Sequence, residues 1–241
     1  METRQQVFVW SRKIRLFHWL NVIAITLLIL IGLVIFNDKL FGISTEGKIL
    51  LKTIHVLVGY VFATNLLVRL VFAFIGNNNE RWSKFLPFHK GFVKELKTFK
   101  QQKAVYKGHN PAGKLMVFAL LSLMCTQMVT GLVIAGTDIY YPPLGRYFAE
   151  SIAVDKQNIE AIKPYSKENV DESAYKEMRA IRKPFITAHV YAFYGLLFLI
   201  PLHILGVIVA ERREKSALVS GMITGYKYLP VNESEEKSSK E

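Results

Sequence analysis

Cysteine occurs once in this chain, at Cys125, and that residue lies inside an apolar run. An internal disulfide is therefore excluded, as are a CxxCH attachment site for covalent haem and a thiolate set for an iron–sulfur cluster. Acidic residues are scarce too, 19 Asp and Glu against 31 Lys and Arg, and none falls in the four longest apolar stretches, about 16–37, 53–75, 115–137 and 184–210. Zinc, the competing metal, normally wants four ligands close together, often with cysteine or carboxylate, and neither is available within those stretches at the depths of their histidines. A metal cofactor within those stretches has to depend on histidine.

Charge of either sign is almost missing from the same stretches, with Arg69 the one exception. Each is long enough to cross the roughly 30 Å hydrocarbon core of a bilayer, so a chain that is 51% hydrophobic is expected to be an integral membrane protein. The net charge of +12 points at first to nucleic acid, but the excess sits beside the apolar spans, where the positive-inside rule accounts for it. No nucleic-acid binding is expected.

The basic start, with Arg4, Arg12, Lys13 and Arg15, precedes an apolar run longer than a signal-peptide core and followed by no small-residue cleavage site. It reads as a retained first helix with a cytoplasmic N-terminus. Residues 76–112 are strongly basic and take the cytoplasmic side, and within them Phe88 to Phe99 carries aromatic and basic residues at a spacing suited to lying along the membrane surface. Asp138 to Lys183 is balanced in charge, opens with Tyr140-Tyr141-Pro142-Pro143 and falls on the outer side; it is longer than a connector needs to be, which suits partner contact or, failing that, disordered surface. The last span returns to Glu211-Arg212-Arg213 inside. The expected fold is all-α, a four-transmembrane-helix bundle over residues 1–231 with both termini cytoplasmic, followed by a disordered tail at 232–241.

Four of the six histidines lie in the spans. His189 and His203 are fourteen residues apart, close to four helical turns, so they leave one helix face about 21 Å apart along the axis. With helices alternating in direction, His18 and His203 fall near the cytoplasmic face, and His55 and His189 near the outer face. Two histidines at matched depth on different helices suit the axial pair of a low-spin b haem, and the chain has two such pairs. His89 and His109, in the basic loop, are read first as interfacial residues or helix-start contacts.

Gly32, Gly59, Gly131 and Gly206 fit either a flat macrocycle meeting the backbone or close helix packing. Pro201, two residues before His203, removes one helix hydrogen bond. Arg69, with Arg15, suits the propionates of an inner haem; its alternative is snorkelling to the cytoplasmic surface.

The residues resemble a known family. The matching pieces are Arg15-Leu16-Phe17-His18-Trp19, the stretch from Ile54-His55 through Arg69 to Gly76, Gly108-His109-Asn110-Pro111 with Thr130-Gly131, the spacing of His189 and His203, and Met222-Ile223-Thr224-Gly225-Tyr226-Lys227. Together they are similar to the bacterial di-haem cytochrome b561 family, which includes the b-type cytochrome subunits of membrane-bound nickel–iron hydrogenases. The resemblance implies two non-covalent haem b groups, with His55 paired to His189 and His18 to His203. It also implies electron exchange across a bacterial inner membrane between a periplasmic redox protein or hydrogenase-type complex and the quinone pool. The long outer segment is where the chain departs from the hydrogenase subunits.

The quinone is expected at the cytoplasmic side near His18 and His203, where Arg15, Arg69 and His109 supply cationic and imidazole groups, and the redox partner is expected on the outer segment. Homo-oligomerisation is left open, and lipid is the surrounding contact. As an electron-transfer subunit the chain need not be an enzyme by itself. A stand-alone quinone-linked oxidoreductase acting on a small outer reductant such as superoxide, and a haem-free membrane anchor, are the readings from other classes.

Overall fold

A computed structural model describes residues 4–76, 80–99 and 106–230. In chain order these form strand β1 (Arg4–Phe8), helices α1 (Arg12–Phe36), α2 (Thr45–Ile75), α3 (Trp82–Phe85), α4 (Phe92–Thr98), α5 (Pro111–Asp138), α6 (Gly145–Ile152), a 3-10 turn at Ile159–Ala161, α7 (Glu172–Glu214), α8 (Leu218–Thr224) and strand β2 (Tyr226–Pro230). Helices α1, α2, α5 and α7 are long and apolar enough to cross a membrane. Large apolar side chains such as Ile23, Leu30, Phe74, Phe198 and Leu205 stand exposed along them, the arrangement that lipid rather than water favours. The tail expected to be disordered, 232–241, lies outside the described residues.

The helices are longer than the charge-free stretches. Helix α7 has 43 residues, about 65 Å at 1.5 Å per residue, roughly twice the hydrocarbon thickness. It starts at Glu172 instead of 184 because Asp171 caps it: the Asp171 carboxylate accepts the Ala174 N–H at 2.8 Å and the Ser173 hydroxyl at 2.6 Å, and these bonds hold its pKa below the usual value. Helix α5 starts on Pro111, with the Asn110 side chain accepting the Gly113 N–H at 2.8 Å.

The chain divides into two compact units, and each long helix contributes a segment to both. The first comprises residues 1–19, 67–122 and 197–241. Its two chain ends are joined: β1 pairs antiparallel with β2 from Arg4↔Pro230 to Phe8↔Tyr226, and the N–H groups of Val9 and Trp10 both donate to the Gly225 carbonyl. Gly225 has φ +93°, and a Cβ there would stand 2.7 Å from the Trp10 carbonyl, so the close approach requires glycine. Val9, Trp10 and Ile14 form a small core closed by Met222. In this way the Met222–Lys227 motif becomes a clasp for the N-terminus.

The second unit comprises residues 20–66 and 123–196. Here the segment after α5 is ordered, not a loose loop. Phe148, Ala149 and Ile152 of α6 pack with Ala153, Ile162 and Met178 into a core, and full burial of Ile152 alone contributes about 1.5–3 kcal/mol. Asp138 is bound by Lys52 from α2 and by Arg182 from α7 at 2.6 Å, so one carboxylate ties three helices.

Candidate functional site

In the second unit, α2 carries His55 and α7 carries His189. Their ring centroids are 6.4 Å apart with an interplanar angle of 65°. Imidazole nitrogens bind metals at about 2 Å, so two rings on opposite sides of one metal ion have centroids about 6 Å apart. Among the described residues no three His, Cys, Asp or Glu side chains gather into a metal site, so a metal supplied with its own equatorial ligands is the kind this pair can hold.

Both histidines line an apolar cavity, with Val56, Gly59, Phe62, Gly131 and Phe193 among its walls. The glycines divide into two kinds. A Cβ on Gly32 would lie 3.4 Å from His55 Cε1, and one on Gly131 would lie 3.5 Å from His189 Cε1, so each ring lies over a glycine at ordinary contact distance. Gly59, one turn beyond His55, faces no atom within 4 Å of where its Cβ would stand. That open strip beside a histidine pair fits the edge of a flat macrocycle, and the residues present fit a haem.

The two imidazoles differ in support. His55 Nδ1 is buried without a hydrogen-bond partner among the described residues. His189 Nδ1 lies 2.9 Å from the Thr130 hydroxyl, and Gln127 Nε2 donates to the His189 carbonyl at 3.0 Å.

In the first unit, α1 supplies His18 and α7 supplies His203, which lie within electrostatic reach of each other. His18 Nδ1 is buried without a hydrogen-bond partner among the described residues. Three residues after His203, a Cβ on Gly206 would again meet nothing within 4 Å. This pair therefore repeats the features of the other, a buried imidazole and a bare glycine one turn along the ligand helix.

Arg69 does not reach for the surface; it is 9% exposed. Its Nη2 donates to the Glu80 carbonyl at 3.1 Å, and its guanidinium lies 4.8 Å from the Phe85 ring and 5.9 Å from the Phe17 ring. Its Nη1 and the Arg15 Nε are buried without hydrogen-bond partners among the described residues, two donors on the first unit's side of the chain that an anionic group can satisfy. Arg15 also donates to the Ile223 carbonyl, and Trp19 Nε1 donates to the Met222 carbonyl at 2.9 Å, so the C-terminal clasp holds α1 one turn before His18 and at the residue after it.

The His109 ring lies 4.9 Å from that of Trp10, tilted by 54°. Part of its surface stays open, yet protein atoms crowd it, and that desolvation, with Lys227 next and then Arg69, His203 and Lys114, pushes its pKa down to about 3. It is a neutral imidazole at physiological pH. Lys227 is 2% exposed; its ammonium donates to the Gly108 carbonyl at 3.0 Å, and burial lowers its pKa to about 8 against the opposing pull of Glu214. His89 stands apart, with Nε2 at 3.2 Å from Glu95 and 3.4 Å from Lys114.

Thr130 and Lys227 stand in the sequence motifs without a role attached to them, and Gln127 stands in none. A threonine inside a helix ordinarily bonds its own i−4 carbonyl, and nothing local marks one that also meets a histidine 59 residues away.

The chain matches the prokaryotic cytochrome b561 family over residues 9–225. It is 31% identical over 156 residues to the probable Ni/Fe-hydrogenase B-type cytochrome subunit of Rhizobium leguminosarum bv. viciae, covering 59% of this chain and 63% of that protein. It is 28% identical over 142 residues to the corresponding protein of Rhodobacter capsulatus, covering 53% and 54%. With the probable Ni/Fe-hydrogenase 1 B-type cytochrome subunit of Escherichia coli (strain K12) it is 26% identical over 147 residues, covering 56% and 62%. The chain thus spans less than two thirds of the length of each of these relatives.

Proposed function

The chain belongs to the prokaryotic cytochrome b561 family, and on that premise we propose that it is a di-haem b-type cytochrome carrying electrons across a bacterial inner membrane to or from quinone. The observation that carries this reading is the His55–His189 pair, 6.4 Å between ring centroids inside an apolar cavity edged by bare glycine. Bound between such pairs, haem supplies one-electron redox chemistry, while the protein supplies ligation, orientation and a dry surround.

His55 and His189 hold the outer haem in this reading, and His18 and His203 the inner one. Arg69 and Arg15 offer their unpartnered N–H groups to the propionates of the inner haem, offsetting carboxylate charge in a poorly solvated place. His109 remains neutral, so it is fit to hydrogen-bond a quinone oxygen beside the first unit without holding a permanent charge there. Relatives that carry the name of hydrogenase subunits favour a hydrogenase-type partner, docked at the outer side, where the folded segment after α5 offers exposed Tyr147, Val154 and Tyr165.

Quinol added to the purified chain is expected to reduce its haems with no partner present, and His109→Gln is expected to slow that reduction while leaving haem content unchanged. Stopped-flow absorbance in the α band checks both. Rapid, His109-independent reduction would remove the quinone assignment from the first unit.

A further inference from the structure

Resting on the reading of His189 as a haem ligand, we propose that Thr130 is its positioning residue, fixing the tautomer of His189 and making the two imidazoles of the His55–His189 pair unequal. A hydroxyl has one hydrogen to give. Thr130 Oγ1 directs it to the Thr126 carbonyl at 2.6 Å, with the Gln127 carbonyl farther away at 3.3 Å. At 2.9 Å from His189 Nδ1, the same oxygen therefore accepts, and the imidazole proton sits on Nδ1. Nε2 keeps its lone pair for iron.

The contact is sheltered and braced. Thr130 is 4% exposed, so water does not compete for the bond. Gln127, one turn earlier on α5, holds the His189 carbonyl at 3.0 Å, so α5 grips the ligand by both main chain and ring. The ring lies over Gly131, 3.5 Å from where a Cβ would stand. His55 has no such acceptor at Nδ1 among the described residues.

An acceptor on one imidazole nitrogen strengthens the other as a donor. A stronger donor favours ferric over ferrous iron, so the Thr130 hydroxyl lowers the reduction potential of the haem that His189 binds and tightens its retention. Thr130→Val keeps the shape and deletes the hydroxyl; Thr130→Ser keeps the hydroxyl.

The test is a potentiometric titration of wild type, Thr130→Val and Thr130→Ser, followed by difference spectra, with low-spin electron paramagnetic resonance signals and haem content measured on the same samples. The valine variant is expected to move one spectral component, the one that His189→Ala removes, to higher potential with changed g-values, and to retain that haem about 10- to 100-fold less tightly. The serine variant is expected to follow wild type, and the other component to stay put in both. A valine variant that titrates as wild type overturns the proposal, and so does a serine variant shifted as far as valine, which would make the effect one of packing. If His189→Ala removes no component at all, the ligand reading itself fails.

Discussion

Replacing His189 by alanine is expected to remove one of two haems and leave the other spectrally intact, a fall of about half in haem per chain with loss of a single low-spin component. Non-covalent haem of this kind is held by its axial bonds and its apolar surround. His189 and His203 share α7 but lie fourteen residues apart, about 21 Å along the axis, so they cannot share an iron. Each has its counterpart within its own compact unit: His55 with His189 in the second, His18 with His203 in the first. His55→Ala should therefore remove the same component as His189→Ala, whereas His18→Ala and His203→Ala should remove the other. Pyridine haemochrome assays and reduced-minus-oxidised spectra of the four variants check the pairing, which is wrong if the His55 and His18 variants lose the same component.

Gly59→Leu is expected to displace the haem between His55 and His189 although both ligands remain. In the polypeptide alone a Cβ has room here: nothing lies within 4 Å of the position it would take. A leucine there would turn into the cavity that His55 and His189 line and, if the cavity is the haem's place, would occupy it. Gly131→Ala makes the useful contrast, since its Cβ would stop at ordinary contact distance, 3.5 Å from His189 Cε1, and haem binding should survive. Full haem content in the Gly59→Leu variant, measured per chain, would mean that the open strip beside His55 is not the macrocycle's edge.

Much of this architecture could be read from hydropathy and histidine spacing because a bilayer imposes length and polarity together. The four long apolar helices follow from that constraint. Helix ends did not follow from it. Charge marks where a span leaves lipid, but backbone hydrogen bonding continues past that boundary, so α2 begins at Thr45 before its apolar run and α7 at Glu172 behind the Asp171 cap. Arg69 was ambiguous for a related reason: sequence places a cation near a membrane surface but does not say whether aromatic rings will enclose it, as Phe17 and Phe85 do. The clasp between Val9, Trp10 and Gly225 and the bond between Thr130 and His189 join residues far apart in the chain, and no local pattern announces such contacts.

The folded segment from α6 to the start of α7 changes what can be asked of partner docking there. Its core of Phe148, Ile152, Ile162 and Met178 means that shortening it would unfold a packed unit instead of trimming a loop. Substitutions at exposed Tyr147 or Val154 are the cleaner probes of partner docking.

The central claim is two bis-histidine b haems in one chain, and the most direct measurement is haem per polypeptide on the purified protein together with its electron paramagnetic resonance spectrum. The account predicts about two haems per chain, both low-spin and six-coordinate with imidazole on each side. One haem per chain, or a high-spin five-coordinate signal from the intact protein, would contradict it.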